Sequence, residues 1–220
     1  MNQQAKAFIF DLNGTMIDDM EYHIKAWHRL FNEELGANLN PDQVKSQMYG
    51  KNEEVIKRVF GESRFSQEEM SRLSVEKEKA YQRAYRPELR LIKGLHEFLD
   101  RAYKNHIVMA IGSAAITFNI DFVLDNLDIR HYFKAIVSAD DVQKSKPDPE
   151  TYTKVATLLQ LQPSDCIVFE DAPKGVEAAQ NAGMDCVVIT TMHAQTEFKN
   201  YSNILHFISD YSDPFLGQFF

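Results

Sequence analysis

The feature that most limits the fold of this chain is a recurrence of short apolar runs that stop abruptly at polar or acidic residues. They lie at 5–10 (apolar but for Lys6), 107–111, 135–137, 166–169 and 186–189. Runs of this length without polar alternation suit strands buried on both faces, as in a parallel sheet. Between them lie helical patterns at 116–127, 149–161 and 173–182, the last with Pro173 at its start and Gly183 just past its end. Strand alternating with helix predicts a doubly wound α/β fold. Such sheets bind ligands outside the carboxyl ends of their strands.

Residues 22–35, 52–60 and 67–85 instead mix charged and apolar positions at helical spacing, with no strand-like run among them. This predicts a helical domain at 18–90 inserted after the first strand of an α/β core made of 1–17 and 91–220. Its hinges would be 16–20 and 87–94, where helix breakers and short polar residues interrupt the pattern. The charge-rich stretch 76–79 reads as a solvated helix face.

With 44% hydrophobic and 25% charged residues, the 220-residue chain has a globular composition, which excludes disorder for any long stretch. A net charge of -8 argues against nucleic-acid or anionic-membrane partners, which are bound with a basic excess. An anionic small molecule would therefore be held by a few lysines, a metal or backbone amides. No secretory signal or membrane span is visible, so a cytoplasmic monomer is expected. Cys166 and Cys186, lacking CxxC spacing, are expected to be reduced and buried in strands.

Chemistry-bearing residues sit just past four run ends: Asp11 and Asn13, then Ser113, then Lys146, then Glu170 and Asp171. In a parallel sheet these ends meet at one crevice. Loops are polar anyway and Asp often caps helices, so spacing alone leaves a structural reading open. The motifs themselves add weight. Asp11-Leu12-Asn13-Gly14-Thr15, Ser113, Lys146-Pro147-Asp148-Pro149 and Glu170-Asp171-Ala172-Pro173-Lys174-Gly175 resemble, in order, the four signature motifs of the haloacid dehalogenase superfamily. The chain is similar in particular to its β-phosphoglucomutase-like phosphatases and mutases, with a Rossmann-like core and a helical cap.

That resemblance implies phosphoryl transfer to and from a small phosphorylated metabolite. A phosphomonoester dianion repels a carboxylate nucleophile, so a divalent cation must neutralise the encounter. The family pattern implies Mg²⁺ held by Asp11, the main-chain carbonyl of Asn13 and Asp171, with Glu170 beside it. Asp11 would be the nucleophile, forming an aspartyl-phosphate, while Ser113 and Lys146 hold the transferring oxygens. Gly14 would let the loop turn tightly enough for the Leu12 amide to face those oxygens. The pattern extends substrate contacts to Ala114 and, in the cap, to His23, Trp27, Gly50, Lys51 and Lys77. Trp27 is equally readable as a cap-core residue, and Lys77 as a solvated helix lysine.

Three departures matter. Asn13 stands where such enzymes carry a second aspartate that protonates the leaving group and deprotonates the incoming nucleophile. Asparagine can do neither, although its carbonyl can still bind metal. A natural variant using another acid/base such as His23, an Asp-to-Asn change made to trap an intermediate, and a silent phosphate-binding scaffold all fit. Ala114, Ala115 and Ile116 follow Ser113 where mutases place a polar or basic residue, and Glu53 stands where they carry arginine. Both favour hydrolysis of a small phosphomonoester over interconversion of sugar phosphates.

Overall fold

The structure is a computed structural model that describes residues 6–220. In chain order its elements are β1 (Ala7–Phe10), α1 (Met20–His28), α2 (Pro41–Gln47), α3 (Asn52–Phe60), α4 (Gln67–Tyr85), α5 (Leu95–Lys104), β2 (Val108–Gly112), α6 (Thr117–Asn126), β3 (Phe133–Val137), α7 (Glu150–Leu159), β4 (Cys166–Glu170), α8 (Pro173–Asn181), β5 (Asp185–Ile189) and β6 (Ile204–Ile208). They divide into two compact units, one of Met1–Asp18 with Arg90–Phe220 and the other of Asp19–Leu89.

The first unit is a six-stranded sheet in the order β3-β2-β1-β4-β5-β6, parallel throughout. β1 lies between β2 and β4, where the strand order reverses. Every residue of β1 and β4 is buried. Alternate side chains of β1 go to opposite faces. Phe8 and Phe10 join an aromatic layer in which Phe8 stacks on Phe98 at 5.3 Å and Phe10 on Phe169 at 4.8 Å. Ala7 and Ile9 join Val168, Val176, Val188 and Tyr152 in the other core. A strand covered on both sides needs no polar alternation, which explains the apolar runs. Cys166 and Cys186 are buried, free thiols.

Strand and helix ends differ from the sequence reading by a few residues. β1 begins after Lys6, whose ammonium pairs with Asp165 at 3.1 Å, and Ala5 lies outside the described residues. Three elements were not anticipated. α5 buries Leu95, Phe98, Leu99 and Ala102 along one face, a helical spacing that follows directly on the hinge-like 87–94. β6 is an edge strand with only Ile208 fully buried, and α2 buries only Val44, so neither offers a strong pattern.

The second unit is helical. Its continuous 22–35 pattern is in fact α1 followed by a π-helical turn over Arg29–Glu34. α4 opens on a reciprocal cap: Glu69 N–H donates to Ser66 Oγ at 3.2 Å and Ser66 N–H to Glu69 Oε2 at 2.8 Å. Its core gathers Trp27, Leu30, Phe31, Val44, Val55, Ile56, Met70 and Leu73. No helix among the described residues is long and apolar enough to cross a membrane.

Candidate active site

The carboxyl ends of β1, β2 and β4 bring Asp11, Ser113, Glu170 and Asp171 to one edge of the sheet, where Lys146 reaches them from the loop before α7. All five side chains are buried. Lys146 Nζ lies 2.8 Å from Asp11 Oδ1 and 2.7 Å from Glu170 Oε1. It also donates to the Tyr152 hydroxyl at 2.8 Å and the Gly112 carbonyl at 3.2 Å. The Ser113 side chain beside Asp11 helps to favour its carboxylate form, and the Ser113 hydroxyl accepts from Ala115 N–H at 3.1 Å. Glu170 Oε2 accepts from the backbone N–H groups of Asp171 and Ala172, both at 2.9 Å, so this carboxylate is fixed at both oxygens.

The loop after β1 is wound tightly by the Leu12 carbonyl, which accepts from Met16 N–H at 2.8 Å and from Thr15 and Ile17 N–H at 3.3 Å. Asn13 sits half-buried within this turn. Gly14 adopts φ +73°, and a Cβ there would lie 2.1 Å from Asp171 Oδ2, so only glycine lets that carboxylate approach the loop. Thr15 donates to Asp171 Oδ1 at 3.3 Å, Thr191 to the Gly14 carbonyl at 2.6 Å, and the Tyr211 hydroxyl to the Thr15 carbonyl at 3.1 Å. Thr15, Tyr152, Thr191 and Tyr211 were not singled out from the sequence. Thr15 stands inside the first motif; the other three are brought in by tertiary register, which no local pattern signals.

Gly175 has a similar purpose in the first turn of α8. A Cβ there would fall 1.7 Å from Glu170 Oε1, so the helix can pass over the carboxylate only without a side chain. Gly175→Ala must displace Glu170 from its donors, and we expect a loss of about 1–3 kcal/mol or more in urea unfolding.

Two buried carboxylates, Asp11 and Glu170, thus share the Lys146 ammonium, and a third, Asp171, is buried nearby. Burial pushes the Asp11 carboxyl up to about 6 against the pull of Lys146, with Glu170 adding to the rise. Burial, then Glu170 and Asp11, raise Asp171 well above the usual carboxylate range. Burial disfavours the charged form of Lys146, yet Asp11 and Glu170 hold it above an ordinary lysine. Such an excess of negative charge calls for a cation, and its hard oxygen donors suit Mg²⁺. Among the described residues no three His, Cys, Asp or Glu side chains gather as a metal cluster, so main-chain oxygens or water would complete the coordination.

The remaining expected substrate residues are divided between the two units. Ala114 is exposed just past β2. His23, Trp27, Gly50, Lys51 and Lys77 belong to the helical unit. Lys77 is not a solvated lysine: it is 3% exposed, bonded to Glu78 Oε1 at 2.9 Å, and held 4.8 Å over the Trp27 ring. Trp27 lies in the core of the unit. His23 Nδ1 faces Lys77 Nζ at 2.7 Å and Nε2 faces Asp19 Oδ2 at 3.3 Å. Both ring nitrogens are thus engaged within the helical unit. For His23 to serve as a substitute acid/base, the Lys77 bond would have to break. The loop carrying Gly50 and Lys51 is stapled by Arg58, which donates to the Gln47 carbonyl at 2.6 Å and stacks 3.5 Å from the Tyr49 ring centroid.

Comparison with known proteins shows the family of the chain. The family model described as haloacid dehalogenase-like hydrolase matches residues 8–189. The chain is 30% identical over 188 residues to a fructose-1-phosphate phosphatase of Escherichia coli, covering 85% of this chain and 97% of that protein. It is 32% identical over 189 residues to the β-phosphoglucomutase of Bacillus subtilis, covering 83% and 82%. The crystal structure of a β-phosphoglucomutase from Clostridium difficile matches 94% of this chain and 92% of its own at a TM-score of 0.81 and 27% identity. The chain belongs to the haloacid dehalogenase-like hydrolase family and is an enzyme of that family.

Proposed function

We propose that this protein is a Mg²⁺-dependent phosphatase that hydrolyses a small phosphomonoester, such as a sugar phosphate, through an aspartyl-phosphate on Asp11. The observation that carries the reading is the buried set of Asp11, Glu170 and Asp171, the first two of them paired with Lys146. Asp11, the Asn13 carbonyl and Asp171 would hold Mg²⁺, with Glu170 beside it. When bound, the ion supplies positive charge that makes room for a phosphoryl dianion among carboxylates. An Asp11 oxygen attacks phosphorus as the bond to the leaving oxygen breaks. Ser113 and Lys146 hold the transferring oxygens, and water then cleaves the acyl phosphate. Neither step finds a proton carrier in Asn13.

The relatives named above include both a phosphatase and a mutase. Hydrolysis is favoured here because Ala114, Ala115 and Ile116 offer no polar or basic side chain to a second phosphate. Phosphate release from a panel of sugar phosphates, with Mg²⁺ and with chelator, tests the reading. We expect slow release that chelator abolishes; release indifferent to chelator would contradict it.

A melting experiment checks the ion without turnover. The folded-state pKa of Asp11, about 6, lies above its ordinary 3.8, so its contribution to stability is complete below 3.8 and is lost as pH rises through about 6. An ion that binds the carboxylate form offsets that loss. The Tm gain on adding Mg²⁺ should therefore be larger at about pH 8 than at about pH 5.

A further inference from the structure

Lys146 has more partners than protons. Its ammonium carries three N–H groups but faces four acceptors: Glu170 Oε1 at 2.7 Å, Asp11 Oδ1 and the Tyr152 hydroxyl at 2.8 Å, and the Gly112 carbonyl at 3.2 Å. A phosphoryl oxygen arriving at Asp11 would add a fifth. Lys146 can serve it fully only by loosening an existing bond. The bond hardest to give up is that to Glu170 Oε1, because a buried carboxylate oxygen left without a donor costs more than a neutral one. Glu170 cannot follow the lysine, since its Oε2 is fixed by two backbone N–H groups at 2.9 Å.

Tyr152 answers this constraint. Its hydroxyl donates to the same Glu170 Oε1 at 2.9 Å. It stands on α7, just after the Lys146-Pro147 segment, and is fully buried. Its ring packs in the sheet core, 3.1 Å from the point where a Gly112 side chain would begin, so the hydroxyl is held where it is. We propose that Tyr152 is a positioning residue whose hydroxyl keeps Glu170 Oε1 hydrogen-bonded while Lys146 turns onto the transferring phosphoryl group. Without that hydroxyl, Lys146 alone serves Glu170 Oε1 and is less available to phosphate. The proposal rests on Asp11 being the phosphoryl acceptor.

The test is Tyr152→Phe in the full chain, which keeps the ring and removes only the hydroxyl. Affinity for beryllofluoride, a phosphoryl mimic, is read by ¹⁹F NMR with Mg²⁺; kcat and KM are read on p-nitrophenyl phosphate; Tm is read alongside. Beryllofluoride should bind roughly 10- to 100-fold more weakly than to wild type, and kcat should fall by a similar factor, the size expected for one hydrogen bond to a charged group. KM and Tm should stay close to wild type. Beryllofluoride affinity and kcat within about twofold of wild type would overturn the role of Tyr152. So would a loss accompanied by a matching fall in Tm, which would mark a structural role only. Failure of wild type to bind beryllofluoride at all would instead remove the Asp11 reading, and the Tyr152 role with it.

Discussion

Asn13→Asp is expected to raise kcat on the best phosphomonoester by about 10²–10⁴-fold, the usual worth of general acid–base assistance. The expectation follows from what is present and what is missing. Asp11, Ser113, Lys146, Glu170 and Asp171 are gathered and buried, whereas the side chain at position 13 can neither give nor take a proton at working pH. His23, the substitute considered from the sequence, is engaged at both ring nitrogens by Lys77 and Asp19. A carboxyl at position 13 would supply the leaving group with a proton and then take one from water. KM should change little, because the groups that hold phosphate are untouched. Steady-state phosphate release by the two proteins is the measurement. An unchanged or lower kcat would mean that another group already performs this step.

Removing the Lys146 ammonium should damage both stability and turnover. Lys146→Met replaces the ammonium shared by Asp11 and Glu170 with an apolar side chain of similar length. Breaking a buried ion pair by taking away one partner costs about 3–5 kcal/mol, because the remaining charge is left uncompensated. The donor to the transferring oxygens is lost as well, which on its own is worth about 10²–10³ in kcat. The variant should thus be both unstable and nearly inactive in ion-free buffer near neutral pH. Its stability deficit should shrink as the solution is acidified. Asp11 already holds a pKa near 6 with Lys146 present, and without the lysine it binds a proton still more readily, which relieves the repulsion. Mg²⁺ should restore part of the stability but not the turnover. Urea unfolding across pH, with and without Mg²⁺, separates these effects.

The parts of this molecule that can be read from sequence are those where one physical demand dominates. β1 and β4 are buried on both faces, and a strand with no solvent side can carry only apolar residues. α3 keeps one apolar stripe and α4 repeats Met70, Leu73, Tyr81 and Tyr85 at helical spacing, so their limits are visible in the chain. β6 escapes because it lies at the sheet edge, where His206 and the 40% exposed Leu205 are tolerated. Asp11, Ser113, Lys146 and Asp171 could be grouped because strand ends converge in any parallel sheet. Tyr152, Thr191 and Tyr211 could not, since helix phase and loop return decide whether such residues reach that edge. Lys77 shows the limit most plainly. Adjacent residues on a helix generally point apart, so nothing in the sequence joins Lys77 to Glu78 or buries it against Trp27 and His23.

Acid-quenched peptide mapping by mass spectrometry addresses the central claim directly. Wild-type protein is incubated with acetyl phosphate and Mg²⁺, quenched, digested and sequenced. One added phosphoryl group on Asp11, absent when chelator replaces Mg²⁺, is the result predicted here, and Asn13 should prolong its life by slowing hydrolysis. A phosphoryl group on another residue, or none at all while phosphate is still released, would contradict the assignment of Asp11 as nucleophile.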